Sequence, residues 1–138
     1  MNTINMQDIR HLNLFSQITQ VNTRFCIEYN NAIIFCVPKN LVNKAVGEDG
    51  KNIRRMSEIL GKRIRIIPSP RGLYDAKGFI LTIVKPVAFK DLEIKGNEMI
   101  ITAGGTQNKA ALIGRDKRRF LELQKIARDF FGKELKII

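Results

Sequence analysis

Residues 46–51 read VGEDGK and residues 113–118 read IGRDKR. In each stretch a glycine precedes two charged residues, and a strongly basic, helix-like run follows. A G-x-x-G turn between two helices lets backbone come close to a ligand. The helix that starts just after it points unpaired amides and the positive end of its dipole at whatever lies there. That arrangement suits a phosphate or a run of phosphodiester backbone. The candidate contacts in the first stretch are Gly47, Glu48, Asp49, Gly50 and Lys51, with Arg54 and Arg55 one turn on. In the second they are Gly114, Arg115, Asp116 and Lys117, followed by Arg118 and Arg119. The second stretch departs from the pattern, because Lys117 stands where the last glycine would be. A Cβ there impedes the closest backbone approach, while the lysine supplies a charge instead. The plain alternative is a helix corner whose glycines serve only the turn.

Glu48 and Asp49 are unexpected in an anion-binding loop of a chain with a formal net charge of +11. If the loop grips through backbone amides, their side chains point to solvent. Acids just ahead of a helix favour its dipole, and Asp49 or a neighbour is placed to cap the helix expected over 51–60. The acids then support that helix at some cost in attraction for a polyanion.

Other chemistries find no purchase. A nucleotide-cradling P-loop fails residue by residue: its first glycine would fall at Ala45 and its magnesium-binding hydroxyl at Asn52. His11 is the only histidine and reads as a solvated residue of a surface helix. No nucleophile elbow, Ser-x-x-Lys or metal-ligand spacing occurs. Glu48 and Asp49, adjacent and without a partner base, make a poor acid–base couple. The expectation is a protein that is not an enzyme, with no cofactor, no metal and no small-molecule substrate. Cys26 and Cys36 are the only cysteines. A two-residue turn at Asn30–Asn31 would oppose 29 with 32, 27 with 34 and 25 with 36. The two thiols then face opposite sides of the hairpin, which disfavours a disulfide.

The 24 basic side chains outnumber 13 acidic ones, and the excess is not confined to a tail. Residues 1–70 carry ten basic and five acidic side chains, net +5, and the remainder carries fourteen and eight, net +6. Such a balance favours nucleic acid as partner, although an anionic membrane or an acidic protein would satisfy the same electrostatics. A hydrophobic content of 44 % is that of a folded chain. Residues 1–19 are too polar for a signal peptide, and no apolar run approaches the roughly 18 residues of a membrane span. The expected setting is cytoplasmic.

The elements that must hold the two loops occur twice. A helix over 5–19, with Ile9, Leu12, Phe15 and Ile18 at helical spacing, precedes the Asn-Asn hairpin. A short helix over 39–46, the loop, a helix over 51–60 and a strand over 62–67 follow. PSPRG, residues 68–72, marks a boundary. The second half reads as a helix over 73–84, where the apolar run GFILTIV also fits a strand, a hairpin turning at Gly96–Asn97, a short helix over 106–113, a helix over 117–131 and a last strand. Ile53, Met56 and Ile59, like Phe120, Leu123, Ile126 and Phe130, form core stripes rather than base-stacking platforms. The two copies end alike, in GKRIRII and GKELKII. The order is α-β-β-α-α-β in both, and a repeated order is stronger than either copy alone.

On VGEDGKNIRRM with GKRIRII, and on AALIGRDKRRFLELQKIARDFFGKELKII, the chain resembles a tandem pair of type II KH domains. With no other domain attached, it is most similar to the short archaeal NusA-like transcription termination/antitermination factors. The resemblance implies an α+β fold with two KH domains, residues 1–68 and 69–138, each a three-stranded sheet packed by helices. It implies that the two loops grip single-stranded RNA, in termination, antitermination or elongation, with RNA polymerase or its elongation complex as a further partner. Bases would then meet the apolar groove beside the helix after each loop, with strands 32–37 and 99–102 as its floor. Two other readings stay open: a ribosome-associated or rRNA-processing KH protein, and a basic scaffold for an acidic protein partner.

Overall fold

Asn30 and Asn31 take left-handed backbone, at φ 51° and 62°, and turn the first hairpin. The computed structural model describes residues 6–138, and within it the chain divides after Ser69 into two compact units. The expected start of the first helix at Asn5 lies outside the described residues.

The first unit runs α1 (Met6–Thr19), β1 (Phe25–Tyr29), β2 (Ala32–Val37), α2 (Val42–Val46), α3 (Lys51–Leu60) and β3 (Arg63–Pro68). β1 pairs antiparallel with β2 in the expected register, Phe25 opposite Cys36 and Tyr29 opposite Ala32. β3 returns parallel to β2, so the sheet order is β1-β2-β3 with β2 central. Every residue of β2 is buried. The core gathers Phe15, Ile33, Phe35, Val37, Met56, Ile64 and Ile66, with the Phe15 and Phe35 rings stacked at 4.4 Å.

α1 departs from the expected stripe. Its buried residues are His11, Phe15 and Thr19, spaced i, i+4, i+8, while Ile9 is exposed. The helix is rotated toward His11, with Leu12 and Ile18 at the flank of the core. His11 is therefore buried, not solvated: at 5 % exposure it belongs to the inner face of α1. In α3, Met56 is buried and Ile53 flanks the core, but Ile59 is exposed and Leu60 takes its packing role.

The second unit repeats the order with α4 (Ala76–Val84), β4 (Asp91–Lys95), β5 (Glu98–Thr102), α5 (Thr106–Ile113), α6 (Arg118–Phe131) and β6 (Glu134–Ile137). β4 pairs antiparallel with β5, and β6 parallel with β5. Phe79 of α4 packs on Phe130 of α6, with centroids 4.9 Å apart. Gln124 is the buried polar residue of α6; its Oε1 accepts from the Leu135 amide at 3.1 Å and fastens β6 to the helix. On the surface of the same seam, Arg128 donates to both carboxylate oxygens of Glu134, at 3.0 and 2.8 Å, and holds that carboxyl below the usual carboxylate range. The architecture is α+β, with a three-stranded mixed sheet in each unit.

Candidate nucleic-acid interface

The two loops follow one backbone path. Gly47 has φ 82° and ψ 164°, and Gly114 has 75° and 171°. Asp49 lies at φ 54°, ψ 27° and Asp116 at 54°, 29°. Gly50 lies at 72°, 19° and Lys117 at 61°, 21°. The bonds repeat as well. The amide of Gly50 donates to the Gly47 carbonyl at 3.0 Å, and that of Lys117 to the Gly114 carbonyl at 3.2 Å. Each loop thus makes one tight turn with two successive left-handed residues and releases directly into a helix. Lys117 keeps the backbone of the glycine it replaces, although a side chain makes that conformation costly.

The first glycine of each loop has a reason of its own. A Cβ on Gly47 would stand 2.8 Å from Asn52 Nδ2 and 3.1 Å from the Asn52 amide. A Cβ on Gly114 would stand 2.6 Å from Arg119 Cγ and 3.0 Å from the Arg119 amide. The next helix packs its first turn straight onto this glycine, so the corner's sharpness depends on it. At Gly50 the space is open, the nearest atom to an added Cβ being Arg54 Nη1 at 3.6 Å. There the glycine answers to its left-handed backbone and leaves room at the loop's outer surface.

Side chains sort into those that build the corner and those that face outward. Asn52 donates through Nδ2 to the Ala45 carbonyl at 3.1 Å and ties α3 to the end of α2. Arg54 donates through Nη1 to the Asp49 carbonyl and braces the loop. Arg119, partly buried, pairs through Nε with Glu122 at 2.9 Å. Lys51, Arg55, Arg115, Lys117 and Arg118 are exposed, and none enters an ion pair among the described residues. Glu48 and Asp49 are exposed too. Neither caps α3: its N-cap is Gly50, and no side chain bonds there. Asp49 serves the turn by accepting left-handed backbone, which Asp tolerates better than most residues.

A cleft of about 550 Å³ opens beside the first loop, lined among others by Ile18, Asn43, Lys44, Glu48, Asn52 and Arg55. It lies between the end of α1 and the two helices of the corner. The strand floor expected at 32–37 is not available, because β2 presents no exposed residue. Asn43, Lys44 and Asn52 are the cleft residues that spacing alone did not single out. Their one signal was position, a turn before the first glycine and five residues after it.

Among the described residues, no helix is long and apolar enough to cross a membrane. Burial pushes the Cys36 thiol up, with the neighbouring Cys26 as a smaller cause, so Cys36 stays protonated.

No family model matches the chain. It is similar to archaeal proteins named probable transcription termination protein NusA. That of Methanococcus vannielii is 28 % identical over 100 residues, 71 % of this chain and 56 % of the relative. That of Methanocaldococcus jannaschii is 24 % identical over 93 % of this chain and 60 % of the relative. The chain thus spans somewhat more than half the length of these two. That of Halococcus morrhuae is 22 % identical over 83 % of this chain and 81 % of the relative. Among solved structures, the crystal structure of APE1850 superposes with a TM-score of 0.63, at 24 % identity, over 98 % of this chain and all of that one. That likeness is one of fold. The resemblance to archaeal NusA proteins stands on the curated relatives.

Proposed function

We propose that this chain, a relative of the archaeal NusA proteins, binds single-stranded RNA through two tandem type II KH domains, residues 1–68 and 69–138. Its process is transcription termination or antitermination in the cytoplasm, with RNA polymerase or the elongation complex as a further partner. The observation that carries the reading is the duplicated corner. Two loops of different sequence hold the same unusual backbone, with left-handed Asp49–Gly50 matched by left-handed Asp116–Lys117. Each opens directly into a helix, whose positive dipole end is set beside exposed basic side chains.

The mechanism follows from what is open. Phosphates lie against the loop and the first turn of α3 or α6, where amides and dipole favour them. Lys51 and Arg55 supply charge in the first unit, and Arg115, Lys117 and Arg118 in the second. Arg54 and Arg119 act as braces rather than as phosphate contacts. In the cleft beside the first loop, a base would rest on Ile18 and meet the polar groups of Asn43 and Lys44. Such contacts need an unpaired base and accessible backbone, which a duplex withholds.

The test is a titration of matched single-stranded and duplex RNA by fluorescence anisotropy, with Gly50→Asp as the variant. Asp at this position has room, and Asp49 and Asp116 already adopt the same backbone, so the fold survives. The new carboxylate stands where a phosphate must approach. Single strands are expected to bind more tightly than duplex, and the variant to lose about tenfold or more, roughly 1.4 kcal/mol. Equal affinity for both RNAs, or a variant that binds like the parent, would sink the proposal.

A further inference from the structure

α1 and β1 carry a group of side chains that RNA binding does not use. Asp8 and His11 are three residues apart on α1 and so share a face. Cys26 lies on β1. Together they bring a carboxylate oxygen, an imidazole nitrogen and a thiol sulfur within 4.8 Å of one another. His11 Nδ1 and Cys26 Sγ are 4.0 Å apart. His11 is buried while Asp8 and Cys26 are half-buried, so the three atoms meet at the rim of the unit. From this meeting of three different donors we propose that Asp8, His11 and Cys26 bind zinc, or a divalent transition ion of similar preference, and that the ion ties α1 to β1.

The donor set selects the ion. One thiolate, one imidazole and one carboxylate suit Zn²⁺, whereas Mg²⁺ and Ca²⁺ take oxygen ligands. Tetrahedral zinc, with bonds of about 2.3 Å to sulfur and about 2.0 Å to nitrogen, sets those two atoms roughly 3.5 Å apart. The observed separation is wider by about half an ångström, which a small rotation of the Cys26 side chain closes. Three protein donors leave the fourth position to water. The thiol gives up its proton on binding. His11 and Cys26 are 15 positions apart in sequence, so the ion links a helix to a strand rather than closing one turn. A metal here explains why the only histidine of the chain is buried on α1 facing a cysteine, where an apolar residue would pack as well.

The test uses the full chain, reduced and freed of metal, titrated with Co²⁺ and followed by absorption. One Co²⁺ per chain is expected, with thiolate-to-cobalt charge-transfer absorption that added Zn²⁺ abolishes by displacement. Zn²⁺ should also raise the melting temperature. Cys26→Ser should remove the charge-transfer absorption. Asp8→Asn and His11→Gln should each weaken Co²⁺ binding about tenfold or more. Cys36→Ala should leave the absorption unchanged, since Cys36 is wholly buried. If His11→Gln does not fold, Asp8→Asn and Cys26→Ser, at half-buried positions, carry the test. Absence of charge-transfer absorption at saturating Co²⁺, or its survival in Cys26→Ser, overturns the site. Neither result bears on the RNA loops, whose variants are measured separately.

Discussion

Lys117 stands in left-handed backbone, at φ 61°, where Gly50 occupies the matching place in the first unit. A side chain there costs about 1–2 kcal/mol, and the tight Gly114 corner holds it in place. Lys117→Gly is therefore expected to stabilise the chain by about 1 kcal/mol in urea denaturation. Gly114→Ala should do the opposite, by about 2 kcal/mol or more, because its Cβ would strike Arg119 2.6 Å away and φ is positive. Unchanged midpoints for both would mean that the loop relaxes freely and its geometry is not held by the corner. At this scale the sequence showed which residues form the loops, since glycine spacing and the charge run are local facts. It did not show that Arg54 and Arg119 are braces and that Lys51, Arg55 and Arg118 face outward. That distinction depends on which neighbours the fold brings near, and all five are basic residues of the two runs that follow the loops. His11 was illegible for a related reason. Its polar type suggests solvent, but its place four residues before Phe15 on the inner face of α1 decides its burial.

Elements were legible where a local signal fixes both ends. The Asn-Asn turn sets the register of β1 on β2, because a two-residue loop leaves no freedom to slip. α3 and α5 begin and end where the loop residues and glycines say. The expected helices over 39–46, 73–84 and 117–131 each begin with a 3₁₀ turn, over Lys39–Leu41, Leu73–Asp75 and Arg115–Lys117. The choice between 3₁₀ and α bonding at a helix start rests on packing that the pattern does not carry. Less legible still was the joint of α6 with β6. A glutamine in a basic amphipathic helix reads as surface, yet Gln124 is buried and bonds the Leu135 amide. Gln124→Leu would fill much of the same space and leave that amide without its acceptor. A loss of about 1–3 kcal/mol is expected. Faster hydrogen exchange at the Leu135 amide would show that the seam itself has opened. A variant as stable as the parent would mean that another acceptor reaches β6.

At the scale of the whole molecule the question is whether the +11 charge is spent on RNA or is only a solvated surface. The two readings differ in how salt acts. Each phosphate neutralised on a single strand contributes roughly −0.7 to the log–log slope of affinity against salt. If each unit holds two or three phosphates, the slope for the chain is about −3 to −4. The structure sharpens this into a residue-by-residue expectation. Lys51→Gln with Arg55→Gln should make the slope shallower by about 1.4, and Arg115→Gln, Lys117→Gln and Arg118→Gln together by about 2. Arg54→Gln and Arg119→Gln should leave the slope nearly unchanged and lower stability instead, since those side chains hold Asp49 and Glu122. Net charge alone predicts otherwise: removing any two of the seven would act alike, because a diffuse field does not distinguish a brace from a contact. Anisotropy titrations at four or five salt concentrations, with a urea denaturation curve for each variant, separate the two. Equal slopes across all variants would assign the charge to general solvation and leave the loops as structural corners.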